Sequence, residues 1–570
     1  MFPRHLVRRI SAINKDTEQI VYLLIFSFAL LFRTINLGGS PLSDYEAGTA
    51  FQALSISRSQ MIEGGAQVGY LGITAILYYL FDANSFFARI WPAIFGSLIV
   101  FIPYLWRKRI GGWQSIVIAS AFALDPLLLA ASRQVGSSIF GVVGLLLGGS
   151  LFLRGYWTMA GIFLAIGFLG GESFWMGVTI LSFIVIISRI TNGQTFISLP
   201  KPDKNIGKFL FSFLATILIV GSSFGFYTAG LSGIGYGILA FFNRFLNPSG
   251  LNFLQPTAAL LIYEFLPLFL GTWIGIRAWA GIDQEKRCLS LIALFGLALI
   301  TLMPGRQIVD LLWVVIPLWI LAVNFFFDHL ELRFNRKLPL FILSLFTFII
   351  LGYVFMNFRT LADSSLIMAN VTGSLIAIGA GILLLLLSLM LIGLGWQFHL
   401  AWHSFFIGCF VFLLMFMLSG SLKVLNKDVD RPFELWQLGD RSPTSEIMVE
   451  TIEFLLRQPL TSYMNASIAV VNLPETEFVW VFRDYEQVKF YNHLPNDQQP
   501  EFVITALENI PQLAANYRGE SYVWHKFPNW EKMNFVDHLR YLVIREVNWA
   551  TEEIILWVRA DLFPGGSTIN

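Results

Sequence analysis

Charge is what this chain lacks most. Asp, Glu, Lys and Arg make up 13% of its 570 residues against 56% hydrophobic, where a soluble domain carries roughly 25% charged residues. A chain so poor in charge cannot cover itself with water-facing side chains, which excludes an ordinary soluble protein along most of its length. Cysteine is nearly missing as well. Cys288 and Cys409 are the only two, both beside or inside apolar runs where they read as small core residues. A disulfide framework and a cysteine-ligated metal are therefore not expected. The net charge of +1 gives no global basic field for nucleic acid and no acidic tail. A cleavage site is also missing: Arg4, Arg8, Arg9 and Lys15 precede the apolar stretch Ile20 to Phe32, and no small-residue motif follows. That stretch reads as a retained first helix, not a signal peptide.

What is present is one long apolar run after another. A helix needs about 20 apolar residues to cross the hydrocarbon, and only helices or closed barrels satisfy their backbone there. The spans expected are 19–37, 89–106, 113–131, 138–154, 157–171, 173–190, 209–230, 257–278, 288–303, 308–327, 338–356, 371–395 and 402–421. Gly69 to Phe81 is apolar but too short to span, and counting it as a crossing would reverse everything after it. The positive-inside rule decides. With Gly69 to Phe81 re-entrant or interfacial, Arg107-Lys108-Arg109, Lys201/Lys204/Lys208, Lys286-Arg287 and Arg333/Arg336/Lys337 all share the side of the basic N-terminus. The expected architecture is a polytopic α-helical membrane protein of about thirteen spans, residues 1–421, with a cytoplasmic N-terminus and a C-terminal extracytoplasmic α/β domain, residues 422–570. Five connections then face outward: 38–88, Ser132-Arg133, 231–256, Pro304-Gly305-Arg306-Gln307 and 357–370.

In the C-terminal part, Ser442-Pro443 starts an amphipathic helical run to Arg457. β-rich runs follow at Ser467 to Val471, Glu477 to Phe482, Phe502 to Thr505, Ser521 to His525 and Ile554 to Arg559, with a helical run near Asp537 to Glu546. No phosphate loop, nucleophile elbow or metal signature occurs there, so the domain reads as a cover or a docking module.

The outer loops hold few charges. Asp44 and Glu46 follow the first helix in Ser43-Asp44-Tyr45-Glu46-Ala47. One carboxylate could act as general base toward an acceptor, while the other orients that acceptor or holds a cation. An interfacial helix cap, with Ser43 or Asp44 capping a helix from Glu46 to Arg58, explains the same residues equally well. Arg133 and Arg306 each stand between two spans; each is a phosphate or carboxylate ligand or a snorkelling arginine, and Asp310 could simply pair with Arg306. Glu172 and Glu264 interrupt apolar sequence, which flags them without assigning a role. No histidine falls in an outer loop of the membrane region, so a histidine-based zinc site there is not expected.

Three stretches together resemble the glycosyltransferase C superfamily, which includes protein O-mannosyltransferases, lipid A aminoarabinose transferases and oligosaccharyltransferase catalytic subunits. They are the acidic element Leu42-Ser43-Asp44-Tyr45-Glu46-Ala47, the segment Phe86-Phe87-Ala88-Arg89-Ile90-Trp91-Pro92 through Arg107-Lys108-Arg109, and Ala123-Leu124-Asp125-Pro126 ending in Ser132-Arg133. The resemblance implies transfer of a sugar, mannose-like in some relatives, from a polyprenyl-phosphate donor to a protein, lipid or glycan acceptor on the outer side of the bilayer. It implies Asp44 as base, Glu46 as its neighbour, and an inverting displacement. The chain departs from the pattern twice. Gly136-Ser137-Ser138 stands where several relatives carry a second acid, which weakens the case for a divalent cation. Gly65-Ala66-Gln67-Val68 replaces a basic element, which leaves phosphate binding to Arg133 and Arg306, with Arg58 and Arg89 as further candidates. A transporter of lipid-linked intermediates, or a degenerate member acting as a binding protein, are the competing readings; the first would show repeats with ionisable residues at midplane.

Overall fold

The computed structural model describes residues 15–60, 65–192, 205–281, 283–329, 337–362, 367–425, 434–435, 444–457, 466–508, 511–513, 515–529, 532–545 and 548–563. The expected cap at Ser442-Pro443 and the basic groups Lys201/Lys204 and Arg333/Arg336 lie outside them. The first helices are α1 (Lys15–Thr34), α2 (Asp44–Ser57), α3 (Val68–Leu80), α4 (Ser85–Ser97), α5 (Phe101–Ile110), α6 (Gly112–Leu124) and α7 (Pro126–Ser132). They continue as α8 (Ser138–Leu153), α9 (Trp157–Phe168), α10 (Glu172–Asn192), α11 (Ile206–Gly221), α12 (Gly233–Asn243), α13 (Gln255–Tyr263) and α14 (Phe265–Ala280). The membrane part closes with α15 (Gln284–Leu302), α16 (Leu312–His329), α17 (Lys337–Ala362), α18 (Ile367–Ile392) and α19 (Phe398–Leu425).

Every expected span falls on one of these helices or on a pair of them. Seven are long and apolar enough to cross a bilayer, or nine if two bent pairs each count as one span, among the described residues. Helices α8, α9 and α11 are apolar but shorter than a bilayer needs. The short apolar segment within the first loop is α3, a helix of 13 residues, below spanning length as expected. The last long helix runs to Leu425, past the expected domain boundary at 421. Most of the 308–327 span, 83%, is buried, against 11% of the 372–395 span, which makes α16 the central helix and leaves α18 for lipid.

Both bends have a side-chain cause. Pro126 cannot extend α6, so the chain breaks by 56° and restarts as α7 with Asp125 as N-cap, accepting from Leu128 N at 2.7 Å. Glu264 sits at the 100° break between α13 and α14, and its Oε1 accepts from Leu127 N at 3.3 Å. Trp319 Nε1 donates to Asp125 Oδ2 at 2.6 Å. The two broken spans are thus joined through carboxyl groups that are fully buried, and Glu264 is placed at a structural junction.

The C-terminal domain carries a five-stranded sheet of order β2-β1-β3-β5-β4, from β1 (Ser467–Val471), β2 (Gln487–Tyr491), β3 (Phe502–Ala506), β4 (Tyr517–Pro528) and β5 (Trp549–Arg559). Strand β1 is parallel to β2 and β3, while β5 runs antiparallel to β3 and β4. Helices α20 (Thr444–Arg457), α21 (Glu475–Val481) and α22 (Phe535–Ile544) complete it. The expectation of a strand at Glu477 to Phe482 is corrected: that stretch is α21. Parallel strands need a crossover, usually helical, and α21 lies in the one between β1 and β2. Strand β2 was not anticipated.

Candidate functional site

The acidic element starts α2, and its residues have distinct surroundings. Ser43 is the N-cap in a capping box with Glu46: its Oγ accepts from Glu46 N at 3.4 Å, and Glu46 Oε2 accepts from Ser43 N at 3.1 Å. Arg89 of α4 reaches the same carboxylate with Nε to Oε1 at 3.1 Å and Nη2 to Oε2 at 2.6 Å, and Val135 N donates to Oε1 at 2.8 Å. Four donors meet Glu46, its side chain is 6% exposed and that of Arg89 3%. Arg89 spends its remaining N–H groups on the carbonyls of Leu37, Ser40 and Pro41 at 2.9–3.2 Å. The structure therefore sets Glu46 and Arg89 against each other as the staple of the first loop, with the helix-cap reading realised for Glu46.

Asp44 has a different setting. Its carboxylate is partly open, and Oδ2 lies 2.9 Å from Nε2 of His525 on β4, whose Nδ1 lies 2.9 Å from Glu552 Oε2 on β5. The C-terminal domain packs directly on this loop. Helix α21 lies on α2, Trp480 stacks near Tyr78 at 6.0 Å between ring centroids, and Arg58 donates to Arg483 O at 3.0 Å with Asp484 at 3.7 Å. Trp480 is 4% exposed within a core cluster otherwise built from the first and second outer loops and their helices.

Arg133 donates to the carbonyls of Arg33, Ile35 and Asn36 at 2.7–3.1 Å. Burial, with Arg89 nearby, brings its guanidinium down to about 10, so it stays cationic at neutral pH. Arg306 donates to Met303 O at 3.0 Å and Leu251 O at 2.6 Å. Asp310, its expected partner, pairs instead with Arg244.

Arg244 was not singled out from the sequence, although it is the one basic residue in the loop 231–256. It follows α12 and is locked to the loop after α15: Nε donates to Gly305 O and Gly305 N donates to Arg244 O, both at 2.7 Å. A Cβ on Gly305 would stand 2.7 Å from Arg244 Cα, so only glycine permits this approach. Arg244 also lies 3.7 Å from Glu172 Oε2, which accepts from Gln307 Nε2 at 3.2 Å. Burial disfavours its charge, but the pull of Asp310, its hydrogen bond and Glu172 outweigh that, and Arg244 titrates above the ordinary arginine range. The side chain is 7% exposed, and Nη1 has no hydrogen-bond partner among the described residues. The phenol of Tyr45 lies within electrostatic reach of Glu172 and Arg244 and bonds to Gln67, which accepts from Ser137 N at 2.9 Å.

The loops 38–88, 132–137, 231–256 and 304–307 are therefore bonded to one another, and Arg540 of α22 donates to Ala362 O at 2.6 Å in the fifth. At the other end, Glu18 meets Arg107 at 3.3 Å and Glu285 meets Arg109 at 2.7 Å. Of the six candidates, Asp44 faces the C-terminal domain, Glu46 and Arg89 pair, and Arg58, Arg133 and Arg306 rest on loop or domain carbonyls. No group of three or more His, Cys, Asp or Glu side chains among the described residues is arranged to hold a metal ion. With four donors on Glu46, the acidic element does not fit a divalent cation, and no step is assigned to one.

The fold is similar to that of solved ArnT structures. ArnT of Cupriavidus metallidurans, an aminoarabinose transferase, aligns in its form bound to undecaprenyl phosphate at TM-score 0.54 and 12% identity, over 95% of this chain and 98% of ArnT. Its apo form aligns at 0.52 and 12%, over 96% and 99%. The oligosaccharyltransferase of Archaeoglobus fulgidus, solved with a tethered acceptor peptide, gives 0.42 and 12%, over 87% of this chain and 70% of that one. No family model and no curated protein sequence matches.

Proposed function

We propose that the protein is a membrane glycosyltransferase that moves a sugar from a polyprenyl-phosphate carrier to an acceptor on the face where the C-terminal domain sits, extracytoplasmic by the lysine pattern. The observation that carries this reading is end-to-end likeness to ArnT, solved with undecaprenyl phosphate. Within that frame Asp44 is the base. It is a carboxylate in the first turn of α2, open enough to meet an acceptor. As the acceptor heteroatom attacks the anomeric carbon, its proton passes to Asp44, and the C–O bond to phosphate breaks with its electron pair leaving on the lipid phosphate. The result is inversion. A phosphate needs fixed cations, and Arg244, with its unpartnered Nη1, supplies one at the same rim as Tyr45. Arg133 adds positive potential beside the first loop. Glu46 and Arg89 hold Asp44 in place, and Tyr45, next to Asp44 in α2, bonds to Gln67.

The test is transfer by protein reconstituted in liposomes with radiolabelled undecaprenyl-phosphate sugars, a mannose-type donor first, and protein, lipid and glycan acceptors. The expected result is transfer by the wild type and on the order of 10²-fold or greater loss in Asp44→Asn. Equal transfer by Asp44→Asn would remove Asp44 from the chemistry.

A further inference from the structure

The sequence offered no chemistry in the C-terminal domain, yet its edge strand delivers an imidazole to Asp44. Two structural facts show that this placement is built. First, the pairing of β4 with β5 is regular to Val523↔Glu553 and resumes at His525↔Glu552, with Trp524 left out as a bulge. Bulges re-aim side chains and recur beside active sites. Here Trp524 fills the domain core, stacked on Phe478 at 4.5 Å, while His525 beside it is 8% exposed against the first loop. Second, both ring nitrogens stand 2.9 Å from a carboxylate oxygen, Asp44 on one side and Glu552 on the other. Neutral imidazole has one donor and one acceptor nitrogen, whereas imidazolium donates from both. Glu552 takes the hydrogen bond at Nδ1 and Asp44 stands as a second negative charge at Nε2, and two carboxylates at this distance favour the cation.

Resting on the glycosyltransferase reading above, we propose that His525 is a positioning residue of the reaction: clamped by Glu552, it holds Asp44 as a charged, oriented base, so that the site is complete only when the C-terminal domain is docked. His525 gives up no proton during transfer. The proton released by the acceptor goes to Asp44, and the imidazolium keeps that carboxylate from wandering before the acceptor arrives. Among the described residues Asp44 from α2 and Glu552 from β5 face His525; Glu46, two residues on in α2, is balanced by Arg89.

Two measurements on the full-length protein test this. In the liposome assay with undecaprenyl-phosphate mannose, His525→Gln should lose about 10²-fold in kcat, with donor KM nearly unchanged. His525→Lys, which returns a cation to the same place, should recover most of that loss. A wild-type rate in His525→Gln, with Asp44→Asn inactive, would overturn the role of His525 and leave the transferase reading standing. A slow His525→Gln variant that His525→Lys does not rescue, or one slowed through donor KM, would reduce His525 to a docking contact and overturn the proposal too. An active Asp44→Asn would instead sink the underlying site. Independently of any substrate, 15N-histidine NMR, with His525→Gln identifying the resonance, should find both ring nitrogens protonated at pH 7.5. The midpoint should fall by about one unit in Asp44→Asn and in Glu552→Gln. A neutral ring at pH 7.5 in the wild type would refute the clamp.

Discussion

Removing Arg89 should unfasten the first loop. Arg89→Ala deletes a bidentate ion pair to Glu46 at 2.6 and 3.1 Å and three hydrogen bonds to loop carbonyls. It leaves a carboxylate that is 6% exposed without its cation, with the backbone N–H groups of Ser43 and Val135 still donating to it. Breaking a buried pair from one side costs about 3–5 kcal/mol, because the surviving charge is desolvated and uncompensated. Glu46→Ala should cost a similar amount, plus about 1 kcal/mol for the lost half of the capping box. Once both are removed no charge is stranded, so Glu46→Ala/Arg89→Ala should fall short of the sum by roughly 2–3 kcal/mol. The assay is unfolding of the four proteins in one detergent, followed by tryptophan fluorescence with denaturant to extract free energies and by heat for midpoints. A single Arg89→Ala should lower the midpoint by on the order of 5 °C. Asp44→Asn, which touches His525 and not the staple, should lower the midpoint by less than Arg89→Ala does. Wild-type melting in Arg89→Ala, or strict additivity in the double variant, would show that the pair does not hold the loop, and the assignment of Glu46 and Arg89 to scaffold would fail.

Other outcomes follow from the same geometry. Gly305→Ala forces a Cβ to 2.7 Å from Arg244 Cα, so it should raise donor KM at least as much as Arg244→Gln does while leaving the first loop's stability intact; an unchanged KM in both would remove Arg244 from donor binding. Asp310→Asn leaves Arg244 with Glu172 as its remaining carboxylate, and donor binding measured by competition with undecaprenyl phosphate should weaken by about tenfold, since a hydrogen-bonded charge pair is worth roughly 1.5–3 kcal/mol. In a background without Cys288 and Cys409, Gln60→Cys should be labelled by an impermeant maleimide from outside whole cells and Lys108→Cys only after lysis; both labelled from outside would overturn the topology read from the lysines.

The apolar runs announced the membrane helices because hydrophobic length is a local property that each segment carries by itself. Lysine placement gives the loops an expected sidedness for a similar reason, which the maleimide labelling tests. The limits appear where a short segment is ambiguous. Glu477 to Phe482 is rich in Phe, Val and Trp and reads as a strand, but the space between two parallel strands makes it a crossover helix; short apolar runs do not distinguish these by pattern. Gln487–Tyr491 alternates polar and apolar over only five residues, near the shortest run that pattern can mark, and becomes a strand by pairing with β1.

For the site, the sequence by itself determined that carboxylates and arginines gather in loops facing one way, and that Ser43 and Glu46 have capping-box spacing. Only the tertiary structure decided which charge meets which. Glu46 finds Arg89 43 positions away, Arg244 takes Asp310 from Arg306, and Asp44 receives His525 from a domain that the sequence left without chemistry. The physical reason is common to all three. A charge placed beside a membrane must be satisfied by whatever long-range packing brings within about 3 Å, and spacing along the chain says nothing about that distance.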